Sequence, residues 1–206
     1  MTIVYTAPPH GDSGFSDRCL RHGVEAILVK HSLEFARYPG ANLFIDGSFD
    51  GSFPKSGPPL MFHAPDRVFS ELPVDLPVNC ARFCAWPGFW ERGLWEMATR
   101  TGGPFGGERA LGKIGISTKQ VGDSRGLIAP RILCTIINEA AYTIGEGVSG
   151  AEEVDIAMKL GTNYPHGPIE WAKKIGFSEV WGLLEAMGRD EKKYCPHPGL
   201  KRLIEL

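Results

Sequence analysis

Residues 126–141 read GLIAPRILCTIINEAA, an apolar stretch with Pro130 near its start. Ile128, Ile132, Leu133, Ile136, Ile137, Ala140 and Ala141 recur one, three and four positions apart, which predicts a helix with a broad apolar face, ended by Gly145 and Gly147. Downstream, SGAE (149–152) has the pattern of a capping box, Ser149 at the N-cap and Glu152 three residues on, opening a helix through VDIAMKLG. A turn-rich link, GTNYPHGP (161–168), leads to two short helices, IEWAKKIG (169–176) and FSEVWGLLEAMG (177–188), each closed by glycine. HPGLKRLIEL ends the chain. This half reads as all helix.

Residues 1–122 have a different texture, rich in glycine and proline, and the shift marks a domain boundary at 122/123. TIVYTA (2–7), VEAILVK (24–30), ANLFIDGSF (41–49), PLMFHAP (59–65) and VNCARFCAW (78–86) read as strands. GFSDRCLRHG (14–23) and GGERALGKIG (106–115) read as short helices. Strand, helix and strand in that order predict a parallel α/β sheet with right-handed crossovers.

Composition excludes several classes. The 206 residues are 43% hydrophobic and 22% charged, an ordinary globular balance. A net charge of −2 gives no electrostatic reason to expect nucleic acid or an anionic membrane surface, and no apolar run approaches the ~18 residues of a membrane span. The start, MTIVYTAPPHG, has neither a basic region with a long apolar stretch nor an Arg/Ser bias, so a cytoplasmic location is expected. Cys19, Cys80, Cys84, Cys134 and Cys195 lack a C-x-x-C pair and read as reduced, mostly buried thiols. Cys80 with Cys84, and Cys195 near His197, fall short of a four-ligand set, so no metal is expected.

The motifs of the second half then become specific in combination. INEA (137–140), EGV (146–148), DIAMKLG (155–161), YPHGPIEWAKKIG (164–176) and HPGLKRLIE (197–205) stand in one order. Together they resemble the C-terminal helical domain of the 3-hydroxyacyl-CoA dehydrogenase family, which includes the 3-hydroxybutyryl-CoA dehydrogenases. The resemblance implies a reduced Rossmann-like domain at 1–122 and, at 123–206, an all-α domain like the C-terminal domain of 6-phosphogluconate dehydrogenase. It also implies a homodimer formed through the helical domain and an acyl-CoA ligand. Family members of this kind oxidise the 3-hydroxyl of an acyl-CoA with NAD.

The working parts of such an enzyme are altered here. A Rossmann turn needs G-x-G-x-x-G, so that backbone amides and a helix N-terminus meet the pyrophosphate. The corresponding turn is PPHGDSG: Pro8 and Pro9 lack N–H groups, only Gly11 matches as the last glycine, and Gly14 is a helix-start residue. Where an acidic residue would meet the ribose, ILVKHS offers Lys30 and His31. No NAD is therefore expected. The family's catalytic motif resembles H-F-F-N-P, a histidine base with an orienting carboxylate further on. In FCAWPGFWERGLWE (83–96), Phe83 stands for the histidine, Trp86 for the asparagine and Pro87 is kept, with Glu96 as the one remnant carboxylate. Phenylalanine cannot take a proton, so Glu96 has nothing to orient.

The family's serine position falls nearest Asp66, with His63 close by and read as a surface or hydrogen-bonded residue. Where the family has asparagine in GFIVNR, this chain has GLIAPR, and Pro130 keeps the helix while deleting the polar side chain. Phe89, Trp90 and Trp95 read as packing rather than as a stack for adenine or acyl groups. Asn163, Tyr164 and His166 read as fixing a helix-to-helix turn, with Trp171 and Ile175 facing a core or partner. The expectation is a catalytically silent member of the family, an acyl-CoA binder or dimeric partner. An active NAD-dependent oxidoreductase and a structural or regulatory interaction module stay open as alternatives.

Overall fold

The β-branched and aromatic runs form one seven-stranded sheet, with β1 at Thr2–Thr6, β2 at Glu25–Leu28, β3 at Leu43–Asp46, β4 at Leu60–His63, β5 at Cys80–Phe83, β6 at Leu94–Thr99 and β7 at Ser117–Gln120. The computed structural model describes residues 1–204, with side chains described through Lys201; Glu205, the last residue of the tail motif, lies outside the described residues. Two units divide the chain, Met1–Leu127 and Ile128–Leu206. In the first, the strand order is β2-β1-β3-β4-β5-β6-β7, and every neighbouring pair is parallel except β5 with β6.

That antiparallel pair departs from the expected all-parallel sheet, because β6 was not among the predicted strands. Glu91, Arg92 and Glu96 break the apolar run around Trp95 and hide its alternation. An antiparallel return needs only a short reversal, which the segment between Phe83 and Leu94 supplies without a crossover helix.

The two faces of the sheet are covered by different means. On one, Ile3, Tyr5, Met61, Phe83 and Trp95 pack with Phe15 and Cys19 of α1 (Phe15–Arg21) and with Ala110 and Leu111 of α2 (Glu108–Lys113). On the other, Val4, Phe44, Leu60 and Phe62 meet no α-helix. The crossovers after β3 and β4 carry only loops and a short 3-10 turn, Phe69–Glu71, and loop side chains such as Phe53, Leu72 and Leu76 close that face. Phe49 lies 4.5 Å from Phe62, centroid to centroid, and Phe69 meets it edge-on at 6.2 Å. Large aromatic area replaces helical cover, which is the sense in which this Rossmann-like domain is reduced.

The exit from the sheet is held by a buried charge. Arg82 on β5 is fully enclosed, its Nε donating to Asp123 Oδ1 at 2.7 Å and its guanidinium also to the carbonyls of Ser124 (2.7 Å) and Ala64 (3.3 Å). Asp123 Oδ2 accepts the Phe69 amide at 2.9 Å. Arg125, nearly buried, forms an ion pair with Glu71. A guanidinium this deep is tolerable only because its donors are met.

The second unit holds α3 (Ala129–Gly145), α4 (Ala151–Thr162), α5 (Pro168–Ile175), α6 (Phe177–Asp190) and α7 (Pro198–Ile204). Pro130 sits in the first turn of α3, where its missing amide costs nothing. The broad apolar face of α3 is divided. Ile137, Ala140 and Ala141 are buried with Cys134, whereas Ile128 and Ile132 are 47% and 53% exposed. The next helix begins one residue later than its capping-box pattern predicts. Gly150, not Ser149, is the N-cap of α4, which puts Glu153 at the third helical position; a Cβ at Gly150 would meet that carboxylate at 2.4 Å.

The recognisable motifs turn out to be joints. Asp155 on α4 is buried and caps α5, its oxygens accepting the amides of Ile169 (2.8 Å) and Glu170 (3.0 Å). Gly167 has no room for a side chain, since a Cβ there would fall 2.2 Å from Asp155 Oδ1. Asn138 of INEA ties down the tail, donating to the Cys195 carbonyl at 3.0 Å and accepting the His197 amide at 2.7 Å. The His197 ring rests 4.0 Å from that of Tyr142. Replacing Asp155 with alanine removes both acceptors at once, and about 1–3 kcal/mol of stability is expected to be lost. The check is thermal unfolding by circular dichroism: at this size Asp155→Ala should melt several degrees below the parent, and an equal melting point would show that the cap contributes nothing.

Candidate functional site

Open α/β sheets bind ligands beyond the carboxyl ends of their strands, at the point where the strand order reverses. Here the chain leaves β1 toward β2 on one side and resumes with β3 on the other, so the crevice belongs between the ends of β1 and β3. The chain itself closes it.

After β1, Pro8–Gly11 forms a turn in which the Gly11 amide donates to the Pro8 carbonyl at 2.8 Å, and Gly11 takes a φ of 97° that an L side chain rarely adopts. Asp12 follows, placing a carboxylate at the start of α1. One oxygen accepts the Tyr5 hydroxyl at 2.7 Å and the other the Ser16 amide at 3.2 Å. Ser16 Oγ lies 2.5 Å from the Tyr5 oxygen, and the Trp90 indole donates to the Asp12 carbonyl at 2.9 Å. Burial, with Asp12 beside it, drives the Tyr5 phenol well above its ordinary range, so it stays a donor.

Across the crevice, a Cβ on Gly47 would lie 2.7 Å from the Pro8 nitrogen, so the turns after β1 and β3 touch backbone to backbone. Thr6 donates to Asp46 Oδ1 at 2.6 Å, and the Ser48 amide adds a bond at 3.1 Å. Asp46 is 2% exposed, and burial raises its carboxyl above the usual carboxylate range. A dinucleotide does not fit these residues. Two prolines supply no amides to a pyrophosphate, the Ser16 amide is already taken, and Asp12 puts negative charge where the phosphates would be. At the end of β2, where the ribose would be met, the Lys30 and His31 amides donate to Glu34.

At the end of β5, Phe83 is fully buried and stacks on Trp95 with centroids 4.8 Å apart and planes at 18°. Trp86 is buried, as are Phe89, Trp90 and Trp95. Glu96 and Phe83 are not brought together: Phe83, Trp95 and Met97 share one face, so strand alternation sends Glu96 to the other, in register with Lys119 of β7. Asp66 pairs with Arg67 at 3.8 Å, and its carbonyl accepts from Arg125.

His63, at the end of β4, is the hydrogen-bonded of the two alternatives its sequence position suggests. It is partly buried and accepts the Ala85 amide on Nδ1 at 2.9 Å. Burial, and secondarily the nearby His10, push its pKa down to about 4. Asp12, Asp46 and the neutral state of His63 have no local sequence signal, since each depends on a partner from another strand or turn.

With this geometry in place, the comparisons with known proteins are specific. Residues 126–206 match the model of the 3-hydroxyacyl-CoA dehydrogenase C-terminal domain. The chain is 37% identical over 95 residues to a probable 3-hydroxybutyryl-CoA dehydrogenase of Bacillus subtilis, covering 45% of this chain and 33% of that one. It is 38% identical over 97 residues to the 3-hydroxybutyryl-CoA dehydrogenase of Bradyrhizobium diazoefficiens, covering 46% and 33%. The matched part thus spans about a third of these relatives' length. In fold, the whole chain is similar to (S)-3-hydroxybutyryl-CoA dehydrogenase from Ralstonia eutropha, with a TM-score of 0.78 at 17% identity over 99% of this chain and 93% of that one. Residues 126–206 are thus a 3-hydroxyacyl-CoA dehydrogenase C-terminal domain, while the likeness of the whole chain, at 17% identity, is one of fold.

The state of His63 links to stability. An unfolded histidine gains its proton near pH 6.5, whereas the folded one resists until about pH 4. The unfolded state therefore binds more protons in that window, and stability falls as pH drops through it, by about 3 kcal/mol at the lower end. Denaturant unfolding from pH 7 to pH 4 should show this loss in the parent and a shallower one in His63→Gln; equal slopes would mean that the ring titrates normally.

Proposed function

We propose that the protein is a member of this family that has stopped transferring hydride and instead binds an acyl-CoA thioester, acting in fatty acyl-CoA metabolism as a dimer joined through its helical domain. One observation carries the reading: the Asp12 carboxylate, fixed by Tyr5, occupies the amide of α1 that a coenzyme phosphate would need. Phe83 in the core, Trp86 beside it and Pro130 in the first turn of α3 support the same direction, because none can move a proton. The acyl-CoA ligand is taken from the relatives, whose names state that they act on 3-hydroxybutyryl-CoA.

The dimer is supported by α4, where Ile156 and Leu160, four apart on one side of the helix, are 44% and 84% exposed, with Val148 just before the helix at 71%. The same exposed residues favour a second reading, an interaction module with no small ligand.

A thermal-shift series with NADH, acetoacetyl-CoA and free CoA separates these readings, with NADH consumption followed in parallel. A ligand at a hundredfold excess over its dissociation constant adds about 2.7 kcal/mol. Acetoacetyl-CoA is expected to raise the melting temperature, NADH to leave it unchanged, and no NADH to be consumed. Stabilisation by NADH together with turnover would restore the active oxidoreductase, while no response to any ligand would favour the module. Leu160→Asp should lower the sedimentation mass to that of a monomer if α4 forms the dimer contact.

A further inference from the structure

The sheet ends differently at its two edges. β7 is guarded: Ser117, Lys119 and Gln120 are exposed, and Gln120 turns its side-chain amide onto the Gly102 carbonyl. Lysine and other polar side chains on an outer strand discourage another strand from adding to it. β2, at the opposite end, carries Ala26, Ile27 and Leu28 with no charge among them, and Leu28 is 54% exposed.

The backbone of β2 leaves a bounded gap. The Glu25 amide donates to the Met1 carbonyl at 3.0 Å and the Val29 amide to the Tyr5 carbonyl at 2.9 Å, and alternation along a parallel ladder turns Ile27 the same way. Ala26 and Leu28 therefore point their N–H and C=O groups outward, where no strand of the described residues lies. On either side the chain closes the edge itself. The Val24 amide donates to the Cys19 carbonyl at 2.9 Å, and the Lys30 amide to Glu34 at 3.1 Å.

A gap of this form is its own complement. In an antiparallel pairing about a two-fold axis, Ala26 stands opposite Leu28 of a second copy and Leu28 opposite its Ala26, so every outward donor and acceptor is met once. A slip of two residues sets Leu28 against Val24, or Ala26 against Lys30, whose amides are already engaged, and leaves a carbonyl unmet. The side chains agree with that register. Leu28 is the register partner of Tyr5, which packs with Phe15 and Cys19 of α1, so Leu28 lies on that face, across from the small Ala26 of the second copy. The same direction brings exposed Glu25 toward the end of the second copy that carries exposed Lys30 and His31.

We propose that β2 is a self-association edge: two copies of this chain pair β2 against β2, antiparallel, and join their sheets into one continuous sheet. So short a ladder makes a weak contact, which forms at high protein concentration and leaves α4 to set the mass at low concentration. The contact rests on the backbone of the sheet unit and is independent of the acyl-CoA reading.

The test is sedimentation of the full chain across a concentration series, with amide hydrogen exchange followed in parallel. In Leu160→Asp, which removes the α4 contact, the mass should be a monomer's at low concentration and a dimer's at high. Adding Leu28→Lys, at a position already exposed, should weaken that association about tenfold or more, whereas Leu28→Val should leave it nearly unchanged. The Ala26 and Leu28 amides should exchange about tenfold more slowly at high concentration than at low, while the Ile27 amide, bonded within the chain, stays constant. A Leu160→Asp protein that is monomeric at every concentration would overturn the edge contact. Association unchanged by Leu28→Lys, or exchange of the two amides independent of concentration, would overturn it as well. If Leu160→Asp stays dimeric even at low concentration and Leu28→Lys dissociates it, the edge contact stands and the α4 contact falls.

Discussion

A helix N-terminus can satisfy one anion, and in this protein the anion is Asp12. Two hydrogen bonds to its carboxylate, one from Tyr5 in the core of β1 and one from the Ser16 amide of α1, commit the first turn of that helix to the chain itself. Much else depends on that commitment. Trp90 reaches the Asp12 carbonyl from the far end of β5, which draws the aromatic cluster of Phe83, Trp90 and Trp95 over the sheet. The crevice between β1 and β3 then closes on Pro8 and Gly47. A turn with backbone donors aimed at solvent would be polar and open; this one is internally satisfied and packed.

The family pattern is carried by the helical unit. In the helical unit, the residues that make the family recognisable are joints: Asp155 on the amides of α5, Asn138 on the tail, and glycines where a methyl group would collide. These enforce how helices meet. In the sheet unit, phenylalanines cover one face where crossover helices would otherwise lie, and Phe83 occupies the core.

How much of this was legible varied with the range of the interaction. Helices α3 to α6 and most strands follow from local periodicity, and Pro130 and Gly145 mark a start and an end from sequence alone. β6 escaped because Glu96 interrupts its apolar run, and its antiparallel pairing is a long-range choice. The start of α4 slipped by one residue because Gly150 and Glu153 compete with the Ser149–Glu152 pattern at the same spacing. Pro8 and Pro9 pointed to an altered coenzyme turn, but the group that fills it, Asp12, could be recognised only once Tyr5 stood across from it. His63 read as a surface or hydrogen-bonded residue, and the hydrogen bond comes from the Ala85 amide, a partner that nothing near it in sequence reveals.

Arg82 bears on where this chain can be divided. Its counter-charge, Asp123, and one of its carbonyl acceptors, Ser124, come after the last strand, in the segment that leaves the sheet. A fragment ending with β7 would contain all seven strands and still leave the buried guanidinium without its counter-charge, held by the Ala64 carbonyl alone. The autonomous piece is therefore longer than the sheet that defines it, and a cut intended to free the sheet unit has to fall beyond Arg125.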